Sequence, residues 1–117
     1  MNYDLAVWEG PRPADHDEAA RHCDAALKAM EAEQRQPTAA MGAFISALLS
    51  VWPDQDSESD DCAWAEAPLL PRSVSGSAAY LSMKRDLGKT KVAPDVIRLA
   101  SQHGLNVFDP QIEELVS

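Results

Sequence analysis

The chain has 117 residues, 45% of them apolar, which is enough for one hydrophobic core and too little for two. Nineteen Asp and Glu stand against ten Lys and Arg, a formal net charge of −9. That balance opposes nucleic acid and anionic membrane, because a phosphate backbone needs Lys and Arg to displace its counterions. It favours solubility and attraction to a basic partner.

Taken from the start, MNYDLAVWEG has neither a basic leader nor a long apolar stretch, so no signal peptide is expected. Residues 3–8 (YDLAVW) alternate with strand period. Tyr3, Leu5 and Val7 face one way and Asp4, Ala6 and Trp8 the other, until Gly10, Pro11 and Pro13 end the run. Asp15 or Asp17 can cap a helix running to about Gln34, with Ala19, Cys23, Ala26, Leu27 and Met30 as its apolar stripe. Pro37 breaks that helix and Thr38 can cap the next. There Met41, Phe44, Ile45, Leu48, Leu49 and Trp52 keep helical spacing up to Pro53. The nearly uncharged run 37–53 is too short to span a bilayer.

Asp54 to Asp61 (DQDSESDD) carries five acids and no base, and reads as a loop. Leu69 to Val74 is an expected edge strand, since Pro71 cannot donate to a ladder on both sides. Ser75-Gly76-Ser77 supplies a turn into its hairpin partner, residues 78–84. A third helix is expected from near Thr90, with Pro94 in its first turn and Gly104 as a left-handed cap. Asn106 to Phe108 is a short last strand. The order β-α-α-β-β-α-β predicts one α+β domain over residues 1–117. Its expected form is a ferredoxin-like, four-stranded, mainly antiparallel sheet with helices on one face and a flexible tail from about residue 111.

Motifs for chemistry are incomplete. The acidic run places Asp54, Asp56 and Glu58 like the first ligands of a calcium loop, but Ser59 and Ala65 stand where Gly and Glu are required. Gly88-Lys89-Thr90 ends like a P-loop, yet Met83 occupies the position of its first Gly. His16, His22, Cys23, Cys62 and His103 share no metal-ligand spacing, and the cysteines form no CxxC. No serine lies in a G-x-S-x-G elbow. The expectation is a cytoplasmic protein with reduced thiols, without catalytic residues, metal or cofactor. The bases are unevenly placed. Residues 1–71 hold 14 acids and 4 bases, and residues 72–98 hold 2 acids and 6 bases.

Four segments occur in one order: YDLAVWEGPRPAD at the start, ALLSVWPD, the hairpin region Pro68 to Met83, and HGLNVFDPQ near the end. Together they resemble a family of small bacterial proteins, common in actinobacteria and without assigned chemistry, that lie beside polymorphic or secreted toxins and look like immunity proteins. The resemblance covers most of the chain from Asn2 to Gln111 and carries no catalytic residue across. Lys89-Thr90-Lys91 departs from the smoothly acidic third helix of such proteins. The resemblance implies a protein partner, a cognate toxin with a basic cleft.

In that reading Asp56, Glu58, Asp60 and Asp61 supply the attracting field, and Trp64 or Trp8 supplies a desolvated anchor. Trp64 packing inward to hold the loop is the competing reading. The protein itself is expected to be a monomer or weak homodimer. The alternative function is a small enzyme or ligand-binding regulatory domain of ferredoxin-like shape, with a site near Tyr3, Tyr80 and His103.

Overall fold

The computed structural model describes residues 2–53, 64, 73–84 and 88–116. In chain order these form β1 (Asn2–Trp8), α1 (His16–Ala32), α2 (Ala39–Val51), β2 (Val74–Ser75), β3 (Ala78–Lys84), a π-helical turn (Gly88–Val92), α3 (Ala93–Gln102), β4 (Asn106–Asp109) and β5 (Glu114–Leu115). The fold is α+β, with three helices and a five-stranded antiparallel sheet in the order β2-β3-β1-β4-β5.

Local chemistry accounts for the helices. Asp15 caps α1, accepting from the Glu18 amide at 2.8 Å, while the Glu18 carboxylate accepts from the Ala14 amide at 2.8 Å. Thr38 caps α2 through the Met41 amide. Pro94 opens α3, where its missing N–H costs nothing, and Gly104 follows the helix at φ +69°.

The expected helices on one face are not what forms. Leu5 and Val7 of β1 enter a core with Phe44, Ile45 and Leu48 of α2 and Val96 and Leu99 of α3. Ala6 and Trp8 enter a second core with Ala19 and Cys23 of α1 and Phe108 of β4. The helices therefore cover both faces of the sheet, α1 on one and α2 with α3 on the other. The reason lies in β1, whose alternation places apolar residues on both faces, so both need a cover.

The chain passes between the two layers through residues 33–38, which are stitched to the β2–β3 turn. The Arg35 amide donates to Ser75 Oγ at 2.8 Å, and that hydroxyl donates to the Glu33 carbonyl at 3.1 Å. Gln34 Nε2 donates to the Val74 carbonyl at 2.8 Å, and the Thr38 amide to the Gly76 carbonyl at 3.0 Å.

Where a flexible tail is expected, the chain turns back and Glu114–Leu115 pair with β4, making a fifth strand instead of four. The Leu115 amide donates to His16 Nδ1 at 3.0 Å, and the Val116 amide to the Val107 carbonyl at 2.9 Å. Of the expected strand 69–74, only Val74 lies among the described residues and in a strand.

Candidate binding furrow

Helix α1 sits on its sheet face mainly through its N-terminal half, where Ala19 and Cys23 are buried. Further along, small side chains leave space between the helix and the β2–β3 turn. His22, Ala26, Met30 and Glu33 fall at i, i+4, i+8 and i+11, so they lie along one flank of the helix. Two hollows follow that flank, and a third lies on the opposite flank, where Leu27 and Glu31 project. The first, about 300 Å³, is bounded by Trp8, Gly10, Pro11, His22 and Ser77. The second, also about 300 Å³, lies between Ala26, Ala29 and Met30 and the turn at Ser75–Ala78. The third, about 420 Å³, is lined by Leu27, Met30, Glu31, Gln34 and Tyr80. Ala26 and Ser77 border the first two, which form one furrow, while the third opens on the other side of Met30. At 1.5 Å per residue, the helix from His22 to Glu33 gives that furrow a length of about 16 Å.

The wall opposite the helix depends on Gly76 at φ +58°, a conformation that favours glycine. At the other end, Trp8 is 4% exposed and its indole Nε1–H is buried without an acceptor. A Cβ on Gly10 would stand 3.9 Å from Trp8 Cδ1, an ordinary van der Waals contact.

A polar network adjoins the third hollow at Tyr80. The Tyr80 hydroxyl donates to Asp4 Oδ2 at 3.1 Å, and Asp4 Oδ1 is buried without a partner. The Gln111 side-chain amide pairs with the backbone of Asp4, accepting from its N–H at 2.6 Å and donating to its carbonyl at 2.7 Å. It thus extends the β1–β4 ladder, whose last pair is Ala6 with Phe108, by two residues along β1. Asp109 accepts from the Gln111 amide at 2.9 Å and from the Tyr3 hydroxyl.

Burial, followed by the neighbouring Asp109, pushes the Tyr3 phenol up to about 12. Burial, followed by the Asp4 charge, pushes Tyr80 up to about 12 as well. Cys23, beneath the helix, is pushed up to about 11 by burial and then by Asp24. At neutral pH the phenols are neutral donors and the thiol is protonated, so none of the three is a ready nucleophile or base.

The structure corrects the two aromatic anchors. Trp8 is buried under α1, because its strand face is apolar on Ala6 and Phe108. Trp64 is fully buried, bridges to Met83 and donates from Nε1 to the Trp52 carbonyl at 2.9 Å. Neither ring can serve as an exposed hot spot. Trp64 packs inward, as in the competing reading. Asp56, Glu58, Asp60 and Asp61 lie outside the described residues.

Tyr3, Tyr80 and His103 do not converge. Tyr3 packs with the α2–α3 core and Tyr80 with the α1 core. His103 sits edge-on to Phe44, its Nδ1 2.8 Å from the Leu99 carbonyl oxygen. Among the described residues, no three His, Cys, Asp or Glu are grouped to hold a metal, and no helix is long and apolar enough to cross a membrane. The furrow itself escaped sequence reading. Its trace there is the alanine-rich flank Ala25, Ala26, Ala29 and Ala32, too small to fill the space against a sheet.

Comparison with known proteins finds no matching family model, no similar curated protein and no similar solved structure.

Proposed function

We propose that this protein is a non-catalytic, cytoplasmic binding module that occupies a basic cleft of a partner protein, in the manner of an immunity protein silencing a cognate toxin. The observation that carries the reading is how its distinctive sequence segments are engaged. Trp52 Nε1 donates to Asp95 at 2.9 Å, and Glu9 accepts from the Thr38 hydroxyl. Asn106 donates to the Gly10 carbonyl at 3.2 Å, and Asp109 and Gln111 bind β1. These polar groups hold the fold together, which leaves the net charge of −9 as the feature that supports the reading. On or beside α1, Asp15, Asp17, Asp24, Glu31 and Glu33 are exposed among the exposed bases Arg12, Arg21, Lys28 and Arg35. A net negative charge speeds association with a basic partner and selects against acidic ones.

The β2-β3-β1-β4 order supports a ferredoxin-like core, with β5 and the α1 cover as additions. A ligand-binding regulatory domain is the second reading, favoured by the 420 Å³ hollow beside Tyr80, which is of small-ligand size.

Affinity capture of the tagged protein from its own cells, followed by assay of the captured partner, tests the proposal. The expected result is one stoichiometric basic protein whose activity falls on adding the purified chain. A melting shift of several degrees with a metabolite, and no basic partner, overturns it in favour of the second reading.

A further inference from the structure

We propose that His16 is a pH-sensitive clasp on the sheet edge: its neutral imidazole holds strand β5 against β4, and protonation releases the strand.

The clasp joins the first residue of α1 to the outermost strand of the sheet. The Leu115 side chain packs with the α1 core and that of Val116 with the opposite core. The Val116 amide turns inward to the Val107 carbonyl at 2.9 Å, so by strand alternation the Leu115 amide turns away from β4. There it donates to His16 Nδ1 at 3.0 Å. A ring nitrogen accepts only when it carries no proton, so this bond requires the neutral Nε2–H tautomer. Protonation turns Nδ1 into a donor that faces a donor, and the bond is lost.

The three histidines differ in this respect. His22 Nε2 lies 3.5 Å from Glu18, a contact that a proton strengthens. His103 Nδ1 faces the Leu99 carbonyl oxygen at 2.8 Å and donates to it in either charge state. Of the three, His16 alone holds a bond that its own charging breaks.

Strand β5 is a part of the sheet that one such bond can move. It has two residues, Glu114 exposed and Leu115 half-buried, and the other four strands pair without it. An element with so few buried contacts opens locally, without global unfolding. Its release leaves β4 as the sheet edge, with the Val107 carbonyl open to another strand.

The charged groups near the ring are otherwise engaged or turned away. On α1, the Asp15 carboxylate accepts from the Glu18 amide, the Glu18 carboxylate accepts from the Ala14 amide, and Asp17 is exposed. On β5, Glu114 alternates to the face away from α1, after Glu113 in the turn. On β4, Asp109 binds Tyr3 on that same far face. On the α1 face, Asp4 of β1 accepts from Tyr80 of β3, and Lys84 stands at the far end of β3 opposite Asn2. The imidazole is therefore the group touching the Leu115 amide that changes charge between about pH 5 and pH 8.

Nitrogen-15 spectra of the full, uniformly labelled chain test the proposal. At about pH 8 the expected result is the Nε2–H tautomer at His16 and a scalar coupling across the bond from the Leu115 amide to His16 Nδ1. As the pH falls to about 5, the coupling should vanish and the Leu115 amide proton should move upfield along the His16 titration curve. Over the same step the exchange protection of the Val116 amide, corrected for the intrinsic pH dependence of exchange, should fall about three- to tenfold. Amides of β1 and β3 should keep theirs.

His16→Ala, at an exposed position, should keep the melting temperature near the parent's. At about pH 8 it should already show the low Val116 protection that the parent reaches at about pH 5. An Nδ1–H tautomer at His16 overturns the proposal. So does Val116 protection that stays constant through the His16 titration, or that falls with pH in His16→Ala as it does in the parent, which would place the trigger on a carboxylate.

Discussion

Replacing Trp8 by Phe distinguishes a hydrogen-bond donor that lacks a partner from an ordinary core tryptophan. The indole is 4% exposed and its N–H meets no acceptor. The change leaves a cavity of roughly 40 Å³, which at about 24 cal/mol per Å³ costs about 1 kcal/mol. It also removes a buried unpaired donor, whose desolvation penalty is about 1–3 kcal/mol. The variant should therefore lie between equal stability and a gain of about 2 kcal/mol.

Trp64→Phe is the matched control, with the same cavity but with the loss of a hydrogen bond to the Trp52 carbonyl. That loss adds about 1–3 kcal/mol, for a total destabilisation of about 2–4 kcal/mol. Urea unfolding followed by circular dichroism separates the two. At an m-value of about 1–2 kcal/mol/M, their midpoints should differ by about 1 M or more. If Trp8→Phe unfolds as early as Trp64→Phe, the Trp8 N–H is already satisfied in the free protein.

Other changes probe the scaffold. Hydrogen bonding from Trp52, then from Arg98, holds the Asp95 carboxyl below the usual carboxylate range. Its contribution is therefore present above the unfolded pKa near 4 and is lost as pH falls through the lower folded value. Asp95→Ala should cost about 1.5–3 kcal/mol at pH 7 and progressively less in acid, as read from urea midpoints across pH. The two tyrosines, both pushed up to about 12, bind their protons more tightly when folded. The native state should lose stability as pH rises from about 10 towards 12, with phenolate absorbance and unfolding appearing together. Gln111→Ala removes the side-chain amide that pairs with the Asp4 backbone, and should lower stability by about 1–2 kcal/mol in the same urea assay.

The parts legible in the sequence are those set by neighbours along the chain. Helix α2 was readable because Met41, Phe44, Ile45 and Leu48 repeat with helical period between a Thr cap and Pro53. The alternation of β1 was readable for the same reason, and the observed cores follow it residue by residue. Which face each helix covers was not readable, because periodicity identifies a helix's apolar side but not the side of the sheet it meets. Strand β5 is two residues held by pairing with β4 and by His16, more than 90 positions away, and two residues have no period to detect.

The tryptophans illustrate the same limit. Trp8 beside Glu9 and Trp64 beside the acidic run look exposed by their neighbours, yet both are buried by partners distant in sequence. The DPQ segment carried no recognisable chemistry because its work is long-range, with the Gln111 side chain standing in for backbone against Asp4. The furrow was hidden for a related reason, since a gap is a property of two surfaces and the sequence displays each separately.

The most direct test of the binding-module account is a titration of the captured partner's activity with the purified protein. The account predicts a basic partner and a linear loss of activity that reaches completion at one equivalent, with association slowed by salt. A partner that stays fully active when saturated, or an association rate indifferent to ionic strength, contradicts it.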